Sequence, residues 1–350
     1  MHTALTEPSL RFPASEPPPF GAPREVAPGV LWLRLPLPFR LDHINVHLIE
    51  DGDGWAVLDT GIGDARSQEI WEAVLAGPLR GRRLTRLIVT HFHPDHVGLA
   101  GWLARRHDLA LWMPRPEYLF SLALQYAPAD LGTESWRPFY RRHGLDEVVT
   151  ERVLGRGHHY LRSTTGVPST YLRIKQGDIL DIGGRAFQVL TGGGHALEQA
   201  MLYCPEDKLF FAADQVIAKI SPNVSVTAME PEANALGIYL RSLANLRRTV
   251  PAGVLVLSGH GLPFEGLHLR IDELIAHHAA RCALIAEACR EVPLAAADLV
   301  PLVFSSRVLD EHQTGFAFGE ILAHVNHMLA QGELVMEEDE EGGRRYRPAA

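Results

Sequence analysis

The stretch Thr90-His91-Phe92-His93-Pro94-Asp95-His96-Val97-Gly98 determines how the rest of the chain can be arranged. It follows the run Leu84-Thr85-Arg86-Leu87-Ile88-Val89, in which aliphatic and β-branched residues predict a short buried strand. His91 and His93 are two residues apart, so both imidazoles point to the same side of an extended backbone. This pair is the first sign of a metal site.

The second half of the stretch predicts a change of direction. Pro94 suits the first position of a helix and favours extended backbone at the residue before it. Asp95 and His96 are therefore expected at a helix start, turned away from the His91/His93 pair. Four potential ligands at one strand-to-helix junction predict a place for metal, either one ion or two.

Composition and charge limit the classes of protein to consider. The chain has 350 residues, 46% hydrophobic and 21% charged, which is typical of a globular protein with one large domain or two. The formal net charge of −9 argues against a dedicated binder of nucleic acid or of anionic membranes, although it leaves room for a local basic groove. We expect no membrane association.

The cysteines and the N-terminus predict the compartment. Three scattered cysteines without a CxxC pattern give no disulfide framework and suit a reducing environment. The N-terminus lacks a charged region followed by an apolar one, and no apolar run reaches spanning length. The sequence therefore predicts a cytoplasmic enzyme.

The distribution of prolines and of strand and helix patterns along the chain predicts three segments. Residues 1–28 are a Pro-rich N-terminal arm, 29–265 form the main domain with a helical cap inserted at about 114–170, and 266–350 form a helical, winged-helix-like domain. The last domain ends in two short strands joined by an acidic turn. Because that turn is acidic, we expect packing or a homodimer rather than nucleic-acid binding.

Several other histidines have ordinary explanations. His43 and His47 lie with Asn45 on one face of an alternating strand, where a polar strand face accounts for them. His158 and His159 are adjacent in a Gly-rich loop and point apart, which favours surface or substrate-side roles over ligation.

Three later stations share the design of the opening stretch, in which a polar residue follows an apolar strand next to a small residue. They are Thr191-Gly192-Gly193-Gly194-His195, Phe211-Ala212-Ala213-Asp214 and Leu257-Ser258-Gly259-His260-Gly261. Strand ends along one edge of a sheet are where convergent sites form, and glycines let the backbone come close to an ion.

With these stations the sequence resembles the metallo-β-lactamase-fold hydrolases, over about Val30 to Gly261. Asp59-Thr60-Gly61 matches the family's early strand-end Asp, and His91 to His96 match its HxHxDH signature. The order of features, including the helical tail, is similar to the glyoxalase-II-like and β-lactamase-like-protein-2-like branches. The resemblance implies an α/β fold: a four-layer αββα sandwich of two mixed sheets, with the C-terminal helical, winged-helix-like appendage.

The resemblance also implies a ligand set. One ion would be held by His91, His93 and His195, and the other by Asp95, His96 and His260, with Asp214 bridging both. Asp59 would orient ligands from behind. The chain departs from the family pattern at Gly193, where proline is usual, and at Ala213, where glycine is usual; both changes leave every ligand in place.

The chemistry follows from these ligands. Imidazole and carboxylate without thiolate suit two divalent ions, with Zn²⁺ first and Fe or Mn²⁺ as alternatives. Two ions about 3.5–4 Å apart can share a hydroxide and polarise a carbonyl or phosphoryl oxygen. Asp95 is the candidate catalytic residue, which would orient the nucleophile and shuttle its proton.

Three functions fit this reading. The first is a dinuclear metal hydrolase acting on a small-molecule ester, thioester or lactone, its apolar group enclosed by cap aromatics: Tyr118, Phe120, Tyr126, Trp136, Phe139 and Tyr140. The second is an endoribonuclease that contacts phosphates through arginines, although a solvated face explains them more simply: Arg80, Arg82, Arg83, Arg137, Arg141 and Arg142. The third is a mononuclear-iron sulfur oxygenase, which metal stoichiometry would separate from the first.

Overall fold

Two β-sheets form the centre of the molecule. The structure is a computed structural model that describes residues 9–128, 131, 134–155, 158–305, 309 and 311–349. Parts of the predicted arm (1–8), of the cap (129–130, 132–133 and 156–157) and of the C-terminal segment (306–308, 310 and 350) lie outside the described residues. Among the described residues, no helix has both the length and the apolar character needed to cross a membrane.

The first sheet has seven strands whose spatial order is their order in the chain. They are β1 (Arg24–Ala27), β2 (Val30–Pro36), β3 (His43–Asp51), β4 (Gly54–Leu58), β5 (Arg83–Ile88), β6 (Leu111–Pro114) and β7 (Leu172–Ile174). Strands β1 to β4 pair antiparallel, and β4 to β7 pair parallel. The change occurs where the short hairpin connections give way to helical crossovers.

The second sheet has six strands. They are β8 (Ile179–Ile182), β9 (Arg185–Gly192), β10 (Gln199–Cys204), β11 (Leu209–Ala213), β12 (Leu255–Ser258) and β13 (Phe264–Glu265), in the spatial order β13-β12-β11-β10-β9-β8. Only β11 and β12 pair parallel, because a helix connects them.

Helices cover the outer faces of both sheets and fill the cap and the tail. They are α1 (Ala65–Ala76), α2 (Pro94–Val97), α3 (Ala100–His107), α4 (Arg115–Tyr126), α5 (Arg137–Arg142), α6 (Glu147–Leu154), α7 (His159–Ser163), α8 (Ala235–Thr249), α9 (Leu267–Ala288), α10 (Ala296–Val303) and α11 (Glu311–Gln331). A two-stranded hairpin, β14 (Leu334–Glu338) and β15 (Arg344–Pro348), follows the last helix.

Three buried clusters define four layers. The middle cluster joins the two sheets, with Ile49 and Ile88 from the first sheet against Phe187 and Phe211 from the second. A second cluster packs α1 and α3 on the outer face of the first sheet, and a third packs α8, α9 and the C-terminal helices on the second. The predicted αββα sandwich with a C-terminal helical region is confirmed, whereas the domain boundaries stay a prediction.

The described part of the N-terminal arm is attached to the body of the protein. Residues Arg24–Ala27 form edge strand β1, and the backbone of Arg11 pairs with Glu265 beside β13. Leu10 and Phe12 pack against the C-terminal cluster. The described part of the arm therefore lies along the surface of the protein.

The cap divides into two parts. Helices α4 and α7 pack near the His91–His96 stretch, where the Phe92 ring lies 4.7 Å from Phe120. Helices α5 and α6 instead pack on the C-terminal segment, where His143 Nδ1 lies 2.9 Å from the Tyr346 hydroxyl. Among the cap residues that the structure describes, only the first part adjoins the ligand stretch.

Trp71 on α1 anchors the end of β4. Its side chain is fully buried, and its indole N–H donates to the Thr60 carbonyl at 2.9 Å. We expect Trp71→Ala to lower the unfolding free energy by about 3–5 kcal/mol, through lost packing and a cavity. Trp71→Phe should cost only about 1–2 kcal/mol, because it removes mainly the hydrogen bond. Chemical denaturation of the three proteins measures both values, and an Ala variant as stable as the Phe variant would contradict this role.

Candidate metal centre

Three histidines form the first group of candidate ligands. His91 and His93 lie in the turn between β5 and α2, and His91 Nε2 is 3.0 Å from His93 Nδ1. His195 follows β9 from the second sheet, and one nitrogen of each of the three rings lies within 4.8 Å of the others. Two nitrogens bound to one ion at about 2.0–2.1 Å in tetrahedral geometry lie about 3.3 Å apart, so this spacing suits one ion.

Asp95, His96 and His260 form the second group. The Oδ2 atom of Asp95 lies 3.3 Å from His260 Nε2 and 3.8 Å from His96 Nε2. Pro94 begins α2, so Asp95 and His96 lie in its first turn, as the sequence predicted. His260 is contributed by the loop after β12, across the sandwich.

Asp214 lies between the two groups. Its Oδ2 atom is 3.5 Å from His195 Nε2 in the first group, and 3.4 Å and 3.2 Å from His96 and His260 Nε2 in the second. The residue before it, Ala213, has φ 45°, a left-handed conformation that glycine would adopt more easily. The structure thus brings all seven predicted ligands together at one edge of the sandwich.

Hydrogen bonds from behind orient the rings. His195 Nδ1 donates to the Asn223 carbonyl at 2.8 Å, and His260 Nδ1 donates to the His43 carbonyl at 2.7 Å. A carbonyl only accepts, so in the neutral tautomer each Nε2 keeps its lone pair and faces the centre.

Asp59 does the same for His96. Its Oδ2 accepts from His96 Nδ1 at 2.8 Å, while its two oxygens also accept from the amide and hydroxyl of Thr90 at 2.8 and 2.9 Å. Asp59 itself has φ 64°, so the chain turns sharply at the end of β4 to aim this carboxylate. The predicted position of Asp59 behind the ligands agrees with these contacts.

Burial favours the neutral form of the first group. Burial lowers the pKa of His91 well below the usual histidine value, lowers that of His93 to about 3, and lowers that of His195. Neutral imidazole is the form that binds a metal ion.

The second group carries an excess of negative charge. Burial opposes charging, yet the neighbouring carboxylates, Asp214 foremost, raise the pKa of His96 well above its usual value and that of His260 to about 10. Burial would raise the pKa of Asp214, but His260 and His96 hold it well below the usual range. Protons on His96 and His260 would therefore balance the charge of these carboxylates in the absence of a metal ion. A metal ion bound there would do the same.

Unpartnered buried atoms show that the residues fit divalent cations. His96 Nε2, His195 Nε2 and Asp214 Oδ1 are buried and make no hydrogen bond with the described residues. An unsatisfied buried polar atom costs about 1–3 kcal/mol, which ligation would remove. Nitrogen and oxygen donors in this number suit Zn²⁺, Fe or Mn²⁺.

Comparison with known proteins identifies the family. The family model described as "Metallo-beta-lactamase superfamily" matches residues 40–260, and "Metallo-beta-lactamase-like, C-terminal domain" matches residues 282–349. The chain belongs to the metallo-β-lactamase superfamily. The predicted superfamily, and with it a metal-binding hydrolase, is confirmed at this level.

Two superfamily structures cover nearly the whole chain. A crystal structure of a beta-lactamase domain protein from Burkholderia ambifaria is 41% identical, with a TM-score of 0.89 over 97% of this chain and 98% of that one. A metallo-beta-lactamase family protein from Thermus thermophilus is 26% identical, with a TM-score of 0.77 over 93% of this chain and 100% of that one.

The matches to curated relatives cover less of the chain than these two structures do. A protein named hydroxyacylglutathione hydrolase from Rhodopseudomonas palustris is 27% identical over 173 residues, which are 49% of this chain and 50% of the relative. The chain thus matches about half the length of the curated relatives.

A separate His/Glu group lies away from this superfamily site. His278 on α9, with Glu320 and His324 on α11, has ligand atoms within 4.8 Å of one another. Direct contacts hold these side chains together: His278 Nδ1 lies 3.0 Å from His324 Nε2, and Glu320 pairs with Arg281. We assign it to the packing of the C-terminal helices.

Residues that support the site were missed from sequence. Asn45 donates to the carbonyls of Ser258 and Gly261, and His43 Nε2 accepts from the Gly261 amide, so both brace the His260 loop. Glu117 on α4 accepts from two backbone amides near the ligands. Only the alternating face of β3 hinted at the first pair, and nothing local marked Glu117.

Four of the aromatic side chains expected around a substrate lie elsewhere, which corrects the expectation for Tyr118, Tyr126, Phe139 and Tyr140. Tyr118 stacks on Tyr171 inside the first-sheet cluster, Tyr126 is 74% exposed, and Phe139 and Tyr140 pack towards Phe318 on α11. Phe120 lies beside Phe92. Helical periodicity could not reveal this, because it does not say which layer a helix packs on.

Gly259 gives a direct test of the metal centre. A Cβ there would lie 2.3 Å from Asp214 Oδ1 and 2.8 Å from His96 Cε1, so we expect Gly259→Ala to displace the Asp214 carboxylate. Metal content measured by elemental analysis should fall by about half or more. Gly253→Ala is the matched control, because its Cβ would meet nothing within 4 Å. Equal metal content in the two variants would contradict the geometry described.

Proposed function

We propose that the protein is a dinuclear metal hydrolase that cleaves a small thioester, ester or lactone. The observation that supports this proposal is the position of Asp214. Its Oδ2 atom lies within 3.5 Å of imidazole nitrogens from both ligand groups. In this proposal His91, His93 and His195 hold one ion, while Asp95, His96 and His260 hold the other. Asp214 bridges the two. Zn²⁺ is the first choice of metal, with Fe or Mn²⁺ as alternatives.

Asp95 is the proposed catalytic residue. Its side chain is 21% exposed, whereas that of Asp214 is 6% exposed, so Asp95 is the carboxylate that water and substrate can reach. Bound metal ions would supply Lewis acidity and a water molecule of low pKa. Asp95 would orient that water and take up its proton, and later return a proton to the leaving group.

Relatives support the substrate class. Several curated relatives carry the name hydroxyacylglutathione hydrolase, so we place thioesters first among the acyl substrates. We attribute the activity of these proteins to this chain only as part of the proposal, because the match spans about half of their length.

The alternatives have weaker support. At least three of the six arginines that could contact RNA are engaged with acidic side chains: Arg137 with Glu134, Glu147 and Glu151, Arg82 with Glu50, and Arg83 with Asp53. A mononuclear-iron oxygenase would have no use for the complete second group, Asp95, His96 and His260. Cytoplasmic location and a homodimer stay predictions.

Asp214→Asn tests the bridging role. The amide presents one oxygen without charge, so we expect turnover to fall by more than about 100-fold, beyond the loss typical of residues behind the ligands, together with reduced metal content. Asp272→Asn, at an exposed ion pair with Arg247, is the control. Full activity with normal metal in Asp214→Asn would overturn the ligand assignment.

The substrate class is tested separately with the metal-loaded protein. A panel of acyl thioesters, aryl esters, lactones and single-stranded RNA should show hydrolysis of a small acyl substrate that stops on chelation and returns with added metal. Salt-sensitive RNA cleavage without acyl hydrolysis would favour the nuclease instead.

A further inference from the structure

Glu117 is a buried acid for which the proposed mechanism gives no role. It lies in the first turn of α4 and is 0% exposed. Burying a carboxylate is costly unless hydrogen bonds compensate it. The partners of Glu117 therefore indicate what its position stabilises.

Those partners are backbone amides from two ligand-bearing segments. Oε2 accepts from the Phe92 N–H at 3.0 Å, and Phe92 stands between His91 and His93. Oε1 accepts from the Glu198 N–H at 2.5 Å, and Glu198 stands three residues after His195. One carboxylate thus joins the two segments that carry the first ligand group, one from each sheet.

Helix α4 also holds the side chain of Phe92. The Phe92 ring lies 4.7 Å from Phe120, one turn after Glu117, and 4.6 Å from the His93 ring. Residue 92 is therefore fixed both at its amide, by Glu117, and at its ring, by Phe120. A shift of α4 would move the His91/His93 pair relative to His195.

The chemistry of the two contacts calls for a carboxylate. Each oxygen accepts from a different amide, whereas a glutamine offers one oxygen and turns an NH₂ group towards the other donor. Burial raises the pKa of Glu117 to about 7, against the opposing effect of the Glu198 and Phe92 amides. Near about pH 8 the side chain is mostly ionised and can accept both bonds.

We propose that Glu117 is a positioning residue that sets the distance between the His91/His93 pair and His195, and so the affinity of that group for its metal ion. This inference rests on the proposed function. It predicts that loss of the carboxylate weakens the binding of one of the two ions selectively, while the Asp95, His96 and His260 group keeps its affinity for the other.

The test compares Glu117→Met, Glu117→Gln and the wild type at about pH 8. Zn²⁺ affinity is measured by competition with a chromophoric chelator, and ligand geometry by the visible absorption of the Co²⁺-substituted protein. We expect Glu117→Met to bind one ion about 10- to 100-fold more weakly, with an altered Co²⁺ spectrum. Glu117→Gln should fall between it and the wild type, and it carries the test if the Met variant does not fold.

Leu124→Ala is the matched control, because it removes a buried apolar side chain from the same helix but no acceptor. We expect it to lower the unfolding temperature of the metal-free protein without changing Zn²⁺ affinity. Wild-type affinity and spectrum in both Glu117 variants would overturn the inference alone, as would an equal loss of affinity in Leu124→Ala. A wild-type chain that binds no metal would overturn the proposed function and this inference with it.

Discussion

His96 lies between two buried carboxylates, and the rest of the site depends on that arrangement. Its Nδ1 is 2.8 Å from Asp59 at the end of β4, and its Nε2 is 3.4 Å from Asp214 after β11. Uncompensated buried charge costs several kcal/mol per ion, so these groups need cations or protons among them. At this edge the two sheets bring these carboxylates together around His96, so a bound cation would compensate their charge.

The backbone accepts unusual conformations to build this edge. Asp59 and Ala213 both have positive φ values, and both stand where a strand ends and a carboxylate turns into the site. Gly194, with φ 99°, allows its loop to approach α8, because a Cβ there would lie 2.5 Å from that of Tyr239. Strain at functional positions is sustained by the packed sandwich around them.

Local sequence patterns predicted the positions of the ligands, whereas the contacts that support the ligands depend on long-range packing. The strand before Thr90 and the proline at 94 give the directions of His91 to His96 from sequence alone, and the strand-end stations give His195, Asp214 and His260. The site role of Glu117 and the bracing by Asn45 were not predictable. Their partners, such as Glu198 and Ser258, are distant in sequence and are met only after the sheets have packed.

The cap illustrates the same limit. Its helical character follows from periodicity, but its division into α4 and α7 beside the ligands and α5 and α6 on the C-terminal segment does not. Substrate selection is therefore expected to depend on α4, α7 and nearby loops such as the one carrying Phe39, whose ring lies 6.1 Å from that of His159.

In the function proposed above, the seven ligands hold a pair of ions. The most direct measurement is elemental analysis of the purified wild-type chain after saturation with Zn²⁺ and removal of excess metal. We expect about two ions per chain. A stoichiometry of one ion or none would contradict it.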